Sequence, residues 1–303
     1  KEAEKLLNME ELIHQRLVDQ EEAVKAVSRA LREYRSGLSR KGGPIATFLF
    51  VGPTGVGKTE LSKILAGIQF GSNDAMIRFD MSEYQDKQSI FRFIGSPDGN
   101  VSGALTDSVL QKPYSLILLD EFEKAHPDIL NLFLQVFDDG RLTDNTGRVA
   151  DFQNTVIIAT SNAHSNFIKE SLESGKKMAE VSDALKKKLT EFFRPELINR
   201  FSNIIVFKSL SKEDTVSITR ILLKDLSKDV NANQGIHLEF SEESINKISE
   251  WGYDPVFGAR PLRGVISDKV RSVLAEKILK GEITRGGNAR INLENDNLNF
   301  HVD

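Results

Sequence analysis

Five short, largely apolar runs punctuate the first two thirds of the chain, at residues 47–51, 76–80, 116–120, 156–160 and 204–207, each bounded by turn residues and separated from the next by sequence with helical spacing. Runs of four or five residues are too short for buried helices, and their alternation with helices is the pattern of a parallel sheet covered on both faces. The sequence therefore predicts an α/β fold, a doubly wound αβα domain with five parallel strands. Ahead of it, residues 10–35 carry Leu12, Ile13, Leu17, Val24, Val27, Leu31 and Tyr34 at helical spacing, with Asp19 and Glu22 spaced as a capping box between two helices. Beyond Ser211 the texture changes. Ile218, Ile221, Leu222 and Leu226 mark one helix, a second starts near Ser241, and Leu262, Val265, Ile266, Val270, Val273 and Ile278 mark one long helix. Residues 237–240, 290–293 and 298–302 read as short strands, the last two flanking Asn295-Asp296. Two domains follow: a large α/β domain with its N-terminal helices over 1–208, and a small α-rich lid domain over 209–303.

Composition narrows the class. With 40% hydrophobic and 28% charged residues, the chain has the balance of a folded soluble protein, and no apolar stretch reaches the roughly 20 residues of a membrane span. Forty Lys and Arg against 44 Asp and Glu give a net charge of -4 and no broad basic field, so neither a membrane nor nucleic acid is an expected partner. The absence of cysteine excludes disulfide scaffolds, thiolate metal sites and Cys nucleophiles, and fits a reducing compartment. Histidines at 14, 126, 164, 237 and 301 are scattered without metal-ligand spacing. The chain opens at Lys1 with neither an initiator Met nor a signal peptide, so it is expected to be a piece of a longer protein.

Candidate chemistry is concentrated after the first strand. Gly52-Pro53-Thr54-Gly55-Val56-Gly57-Lys58-Thr59-Glu60 contains G-x-x-x-x-G-K-[ST] between a predicted strand and a predicted helix. Glycines there let backbone N–H groups turn onto a phosphate chain at a helix N-terminus, Lys58 can reach the terminal phosphates, and the Thr59 hydroxyl can ligate magnesium. At the end of the third strand, Asp120 can hold the magnesium shell while Glu121 polarises an attacking water. The expected ligands are ATP and Mg²⁺. The stretch Ala125-His126-Pro127-Asp128 reads as the start of the next helix.

Together with KLLNMEELIHQRLVDQEEAVKAVSRA at the start, FDMSEY at 79–84, KPYSLILLDEFEKAHPDILN from 112, LQVFDDGRLTD at 134–144, TSNAHS at 160–165, FRPELINRF at 193–201 and GYDPVFGARPLR at 252–263, these motifs resemble the Clp ATPases of the AAA+ class. Within them, the resemblance is to the second ATPase module of ClpB and ClpC. It implies a cytoplasmic, ring-forming, usually hexameric ATP-driven unfoldase or disaggregase acting on unfolded or aggregated proteins. It also implies roles for particular residues: Asn162 as a first sensor positioning water, Arg200 as an arginine finger acting on the neighbouring subunit's nucleotide, with Arg194 in a supporting place, and Arg260 as a second sensor in the small domain. Val18 falls where the family lines the adenine pocket, and Val18-Asp19-Gln20 stands where the family has V-I/V-G-Q.

Two departures from the family bear on substrates. The pore segment, usually G-Y-V-G followed by an acidic, glycine-rich stretch, is about four residues shorter here and reads Ile94-Gly95-Ser96-Pro97-Asp98-Gly99-Asn100-Val101-Ser102-Gly103-Ala104, with Asn100 in place of the gripping aromatic. The hairpin-like segment 139–148 resembles the second pore loop. Residues 163–192 contain no I-G-F/L tripeptide, so docking to a ClpP-type protease is not supported. The Asn100 departure also admits an alternative, a nucleotide-binding module that assembles rings with little or no threading.

Overall fold

The computed structural model describes residues 2–39 and 41–303. The chain forms two compact units, Lys1–Gly52 with Gly57–Lys208 and Pro53–Val56 with Ser209–Asp303. In the first unit the strands are β1 (Ala46–Val51), β2 (Met76–Asp80), β3 (Leu116–Asp120), β4 (Arg141–Thr143), β5 (Val149–Asp151), β6 (Val156–Ser161) and β7 (Asn203–Val206). Its helices are α1 (Glu2–Leu7), α2 (Met9–His14), α3 (Glu21–Arg35), α4 (Lys58–Phe70), α5 (Ser89–Ile94), α6 (Ala104–Gln111), α7 (Pro127–Asp139), α8 (Ser165–Glu173), α9 (Met178–Lys188) and α10 (Pro195–Arg200).

Five of these strands make one parallel sheet in the order β2-β3-β6-β1-β7. Every residue of β1 and β6 is buried, which is why those runs are largely apolar, Thr47, Thr160 and Ser161 apart, whereas the edge strands β2 and β7 are partly exposed. The register pairs Val51 with Ser161 and Leu119 with Ala159. The C-terminal ends of β1, β3 and β6 therefore lie level, the place where open α/β sheets gather ligands. The turn after β3 is anchored by Phe122, fully buried, with its ring centroid 5.5 Å from those of Phe133 and Phe193 and 6.1 Å from that of Phe201. β4 and β5 form a separate antiparallel hairpin. As expected, His126 caps α7 by accepting from Asp128 N, and Pro127 occupies its first turn.

The Asp19–Glu22 capping box does not form. Helix α3 begins at Glu21 with Gln20 as its cap, and Asp19 lies outside it in the left-handed region at φ 54°.

The second unit contains α11 (Lys212–Gln234), α12 (Glu242–Gly252), α13 (Leu262–Ile266), α14 (Ser272–Leu279) and the strands β8 (His237–Phe240), β9 (Asn288–Glu294) and β10 (Asn297–Val302). β9 pairs parallel with β8 and antiparallel with β10 across Asn295 and Asp296, both at positive φ, as a tight hairpin turn requires. The single long helix expected over 262–278 is interrupted by a π-helical segment, Ser267–Arg271. Its buried residues explain the interruption. Leu262, Ile266, Val270 and Leu274 recur every fourth position, and at 3.6 residues per turn each such step overshoots a full turn by about 40°. The wider π winding takes up part of that drift and keeps the four on one face. Among the described residues, no helix is long and apolar enough to cross a membrane.

Candidate active site

The loop after β1 turns sharply into α4. Gly55 and Gly57 hold φ 74° and 110°, and a Cβ at Gly57 would stand 2.6 Å from Leu17 Cδ1, so both conformation and space call for glycine there. Gly57 is the N-cap of α4, so the helix starts with no side-chain cap. Thr59 and Glu60 are half-buried in its first turn, Glu60 lying 3.9 Å from Arg16.

Lys58 is buried, and its ammonium donates to Gly52 O at 2.6 Å, Ser161 O at 3.3 Å and Asn162 Oδ1 at 2.5 Å. Burial lowers its pKa to about 8 despite the opposing pull of Glu123, Asp120 and Glu121. A polyphosphate favours the charged form, so above pH 8 nucleotide binding must restore a proton that free Lys58 has lost. Nucleotide affinity is therefore expected to be level from pH 7 to 7.5 and to fall towards about tenfold per pH unit above pH 8.5. A fluorescent-nucleotide titration checks this, and a flat profile to pH 9.5 would show that free Lys58 keeps its proton.

Asp120, at the end of β3, accepts from Thr160 Oγ1 at 2.9 Å and from Arg78 Nε at 2.5 Å. The same Thr160 hydroxyl accepts the Glu121 backbone N–H at 3.4 Å. Glu121 itself lies at φ 54°, a left-handed conformation that costs a non-glycine residue about 1 kcal/mol or more. Its carboxylate is 3.4 Å from Lys124 Nζ and 35% exposed, open to a reacting group. Nearby, one carboxylate oxygen of Glu123 is buried without a hydrogen-bond partner.

The three strand ends thus bring together Lys58, Asp120, Glu121 and Asn162. Arg78, Thr160 and Glu123 join them, and spacing along the chain singles out none of the three. A charged residue inside the run Met76-Ile77-Arg78-Phe79-Asp80 was the available signal for Arg78, but its partner on β3 is 42 positions away.

Other expected site residues lie elsewhere in the first unit. Val18 is half-buried beside Leu17. Asp19 adopts a left-handed turn, which Asp tolerates better than most residues, and pairs with Lys208 Nζ at 2.7 Å. Gln20 is buried and bonds Lys208 through both its amide atoms, to N at 3.1 Å and O at 2.9 Å. Arg200 closes α10 and donates from Nε to Asp138 Oδ1 at 2.7 Å, while Arg194 is the exposed cap of the same helix. Asn100 does not project freely. Its N–H and side-chain amide donate to Asp98 at 3.0 and 2.7 Å. In the second unit, which also holds Pro53, Thr54, Gly55 and Val56, Arg260 lies in the turn between α12 and α13 with an exposed side chain, its N–H donating to Phe257 O at 3.2 Å.

Comparison with known proteins adds a second line. Residues 43–204 match the family described as AAA domain (Cdc48 subfamily), and residues 210–291 match the C-terminal, D2-small domain of ClpB protein. Similar proteins include the chaperone protein ClpB of Meiothermus ruber, 48% identical over 94% of this chain and 34% of its own, and ClpB 1 of Synechococcus elongatus, 46% identical over 99% and 35%. A ClpA homologue of Cyanidium caldarium, described as an ATP-binding subunit of the ATP-dependent Clp protease, is 46% identical over 97% and 36%. Among solved structures, the closed state of Hsp104 with ATPγS and FITC casein superimposes with a TM-score of 0.86 at 37% identity, covering 99% of this chain and 52% of that one. The chain spans about a third of the length of the curated relatives it matches.

Proposed function

Because this chain belongs to the AAA family, in the Clp branch marked by the ClpB D2-small domain, we propose that it is an ATP-hydrolysing motor module that works in a ring on unfolded or aggregated proteins. The observation that carries this reading is the linked set at the strand ends, with Lys58 bonded to Asn162 and Asp120 joined to the Glu121 backbone through Thr160.

The residues present fit a nucleotide. The glycine-capped start of α4 has no side chain to satisfy its first-turn N–H groups, which suits them to phosphate oxygens, and the Lys58 ammonium lies in the same turn. Thr59 and Asp120 would hold magnesium. Asp120 uses two of the roughly four acceptor sites of a carboxylate, so capacity remains. Bound magnesium supplies charge compensation on the phosphate oxygens. Lys58 would exchange its three carbonyl partners for phosphate oxygens. Asn162, released by Lys58, would orient a water, and the open Glu121 carboxylate would accept that water's proton. Arg200 would serve the neighbouring subunit's nucleotide and Arg260 its own, with Val18 against the base.

A second reading, a nucleotide-dependent ring element with weak threading, is favoured by Asn100, an amide folded onto Asp98 where an aromatic grip would stand. ATP turnover with and without a denatured protein, alongside a mass measurement of the assembly, separates the two. The motor reading expects turnover that rises with the polypeptide. No turnover at concentrations where rings form would leave the second reading standing and overturn the first.

A further inference from the structure

The loop 95–103 closes on itself. Ser96 N donates to Val101 O at 2.9 Å, Val101 N to Ser96 Oγ at 2.9 Å, and Gly99 N to Ser96 O at 3.0 Å. The tip of the β4–β5 hairpin holds this closed loop at both ends. At the first end, Asn145 donates from its backbone to Ile94 O at 3.0 Å and from its amide to Gly95 O at 2.8 Å. At the other, where the loop runs into α6, the Arg148 guanidinium reaches Asp107 Oδ1 at 2.6 Å, Thr106 Oγ1 at 3.2 Å and Ser102 Oγ at 3.4 Å.

Within the hairpin, the Arg148 fork is aimed by Asp144, whose side chain is fully buried. Asp144 accepts from Arg148 N and Nε, from Thr146 N and Oγ1, and from Thr106 Oγ1, all at 2.7–3.0 Å. Burial alone would raise this carboxyl, but the donors outweigh it and hold the pKa at about 2. Asp144 is thus an anion at neutral pH inside the hairpin tip. A guanidinium can meet it while its remaining N–H groups reach Asp107 and two hydroxyls; the single ammonium of a lysine cannot span the same set.

We propose that Arg148 is a positioning residue that locks the loop 95–103 to the β4–β5 hairpin, so that the two loops meet a translocating polypeptide as one rigid element. The coupling rests on the motor reading for its purpose, and on the bonds above for its existence. In this arrangement the short loop needs no reach of its own, because the hairpin carries it.

The chain has no cysteine, so a bridge can be introduced without background changes. Amide hydrogen exchange is the deciding measurement. Arg148→Met is expected to speed exchange at Ser96, Gly99 and Val101 by tenfold or more while β1 and β6 are unaffected, and Arg148→Lys should fall between. From the opposite side, Asp107→Asn should loosen Asn145 and Gly147 in the hairpin, a check that holds even if Arg148→Met folds poorly. In Ser102→Cys/Arg148→Cys, a short bis-maleimide should restore both the protection of the loop and the ratio of polypeptide-stimulated to basal turnover. Unchanged exchange in the loop of Arg148→Met and in the hairpin of Asp107→Asn overturns the coupling, whatever the turnover. If exchange responds but the wild-type chain shows no stimulation by polypeptide, the lock stands and the motor reading fails.

Discussion

Glu121→Gln is expected to keep nucleotide affinity within about twofold of wild type while lowering steady-state ATP turnover by about 10²- to 10⁴-fold, the usual worth of a positioned general base. The substitution is isosteric. The left-handed backbone of residue 121 and its N–H bond to Thr160 Oγ1 do not depend on the charge, and Asp120 keeps both of its donors. What disappears is the group that can accept a proton, since an amide is a poor base. Lys58→Ala should behave in the opposite sense, weakening nucleotide binding directly. It also strips the donor from Gly52 O, Ser161 O and Asn162 Oδ1 and so should cost about 1–3 kcal/mol of stability, visible in urea unfolding. Equilibrium binding of a fluorescent nucleotide and a coupled turnover assay distinguish the two variants. Unchanged turnover in Glu121→Gln would remove Glu121 from the chemistry.

Arg200→Ala should lower turnover by about 10³- to 10⁵-fold if Arg200 meets charge developing on a transferred phosphoryl group. In the single chain its guanidinium pairs with Asp138, while Lys58, Asn162, Thr160 and Asp120 are bonded among themselves. To act on another subunit's nucleotide, Arg200 would have to leave Asp138. Mixing inactive Arg200→Ala chains with inactive Glu121→Gln chains is then expected to restore activity, because some interfaces join an intact Arg200 to an intact Glu121. The control is Asp138→Ala, which removes the resting partner of Arg200 and should leave complementation intact. Absence of recovery in assemblies shown to be mixed rings would place the effect of Arg200 within its own chain.

The AAA α/β fold was legible because its information is local. β1, β3 and β6 are interior strands, so burial on both faces demands apolar residues in succession, and such runs stand out against the helical spacing around them. The phosphate loop was legible for a related reason: its glycines, lysine and threonine act within one turn of chain, so their spacing is itself the constraint. Asp120 and Glu121 were readable as a strand end carrying two carboxylates. The left-handed turn at Asp19 was not, since an aspartate, unlike a glycine, carries no local signal of a positive φ.

Local pattern therefore determined the five sheet strands and their order along the chain, and marked the glycine-rich turn before α4, because periodicity and turn chemistry act over a few residues. Tertiary structure alone decided that Arg78 clasps Asp120, that Thr160 joins Asp120 to Glu121, that Lys58 rests on Asn162, and that Arg148 ties the hairpin to the loop before α6. Tertiary packing likewise winds the helix after Leu262 into a π segment to hold four core residues on one face. The physical reason is the same in each case. A buried or half-buried polar group takes whichever partner the sheet order and packing bring near it, and that neighbour can stand 39 to 104 positions away, beyond anything that spacing along the chain encodes.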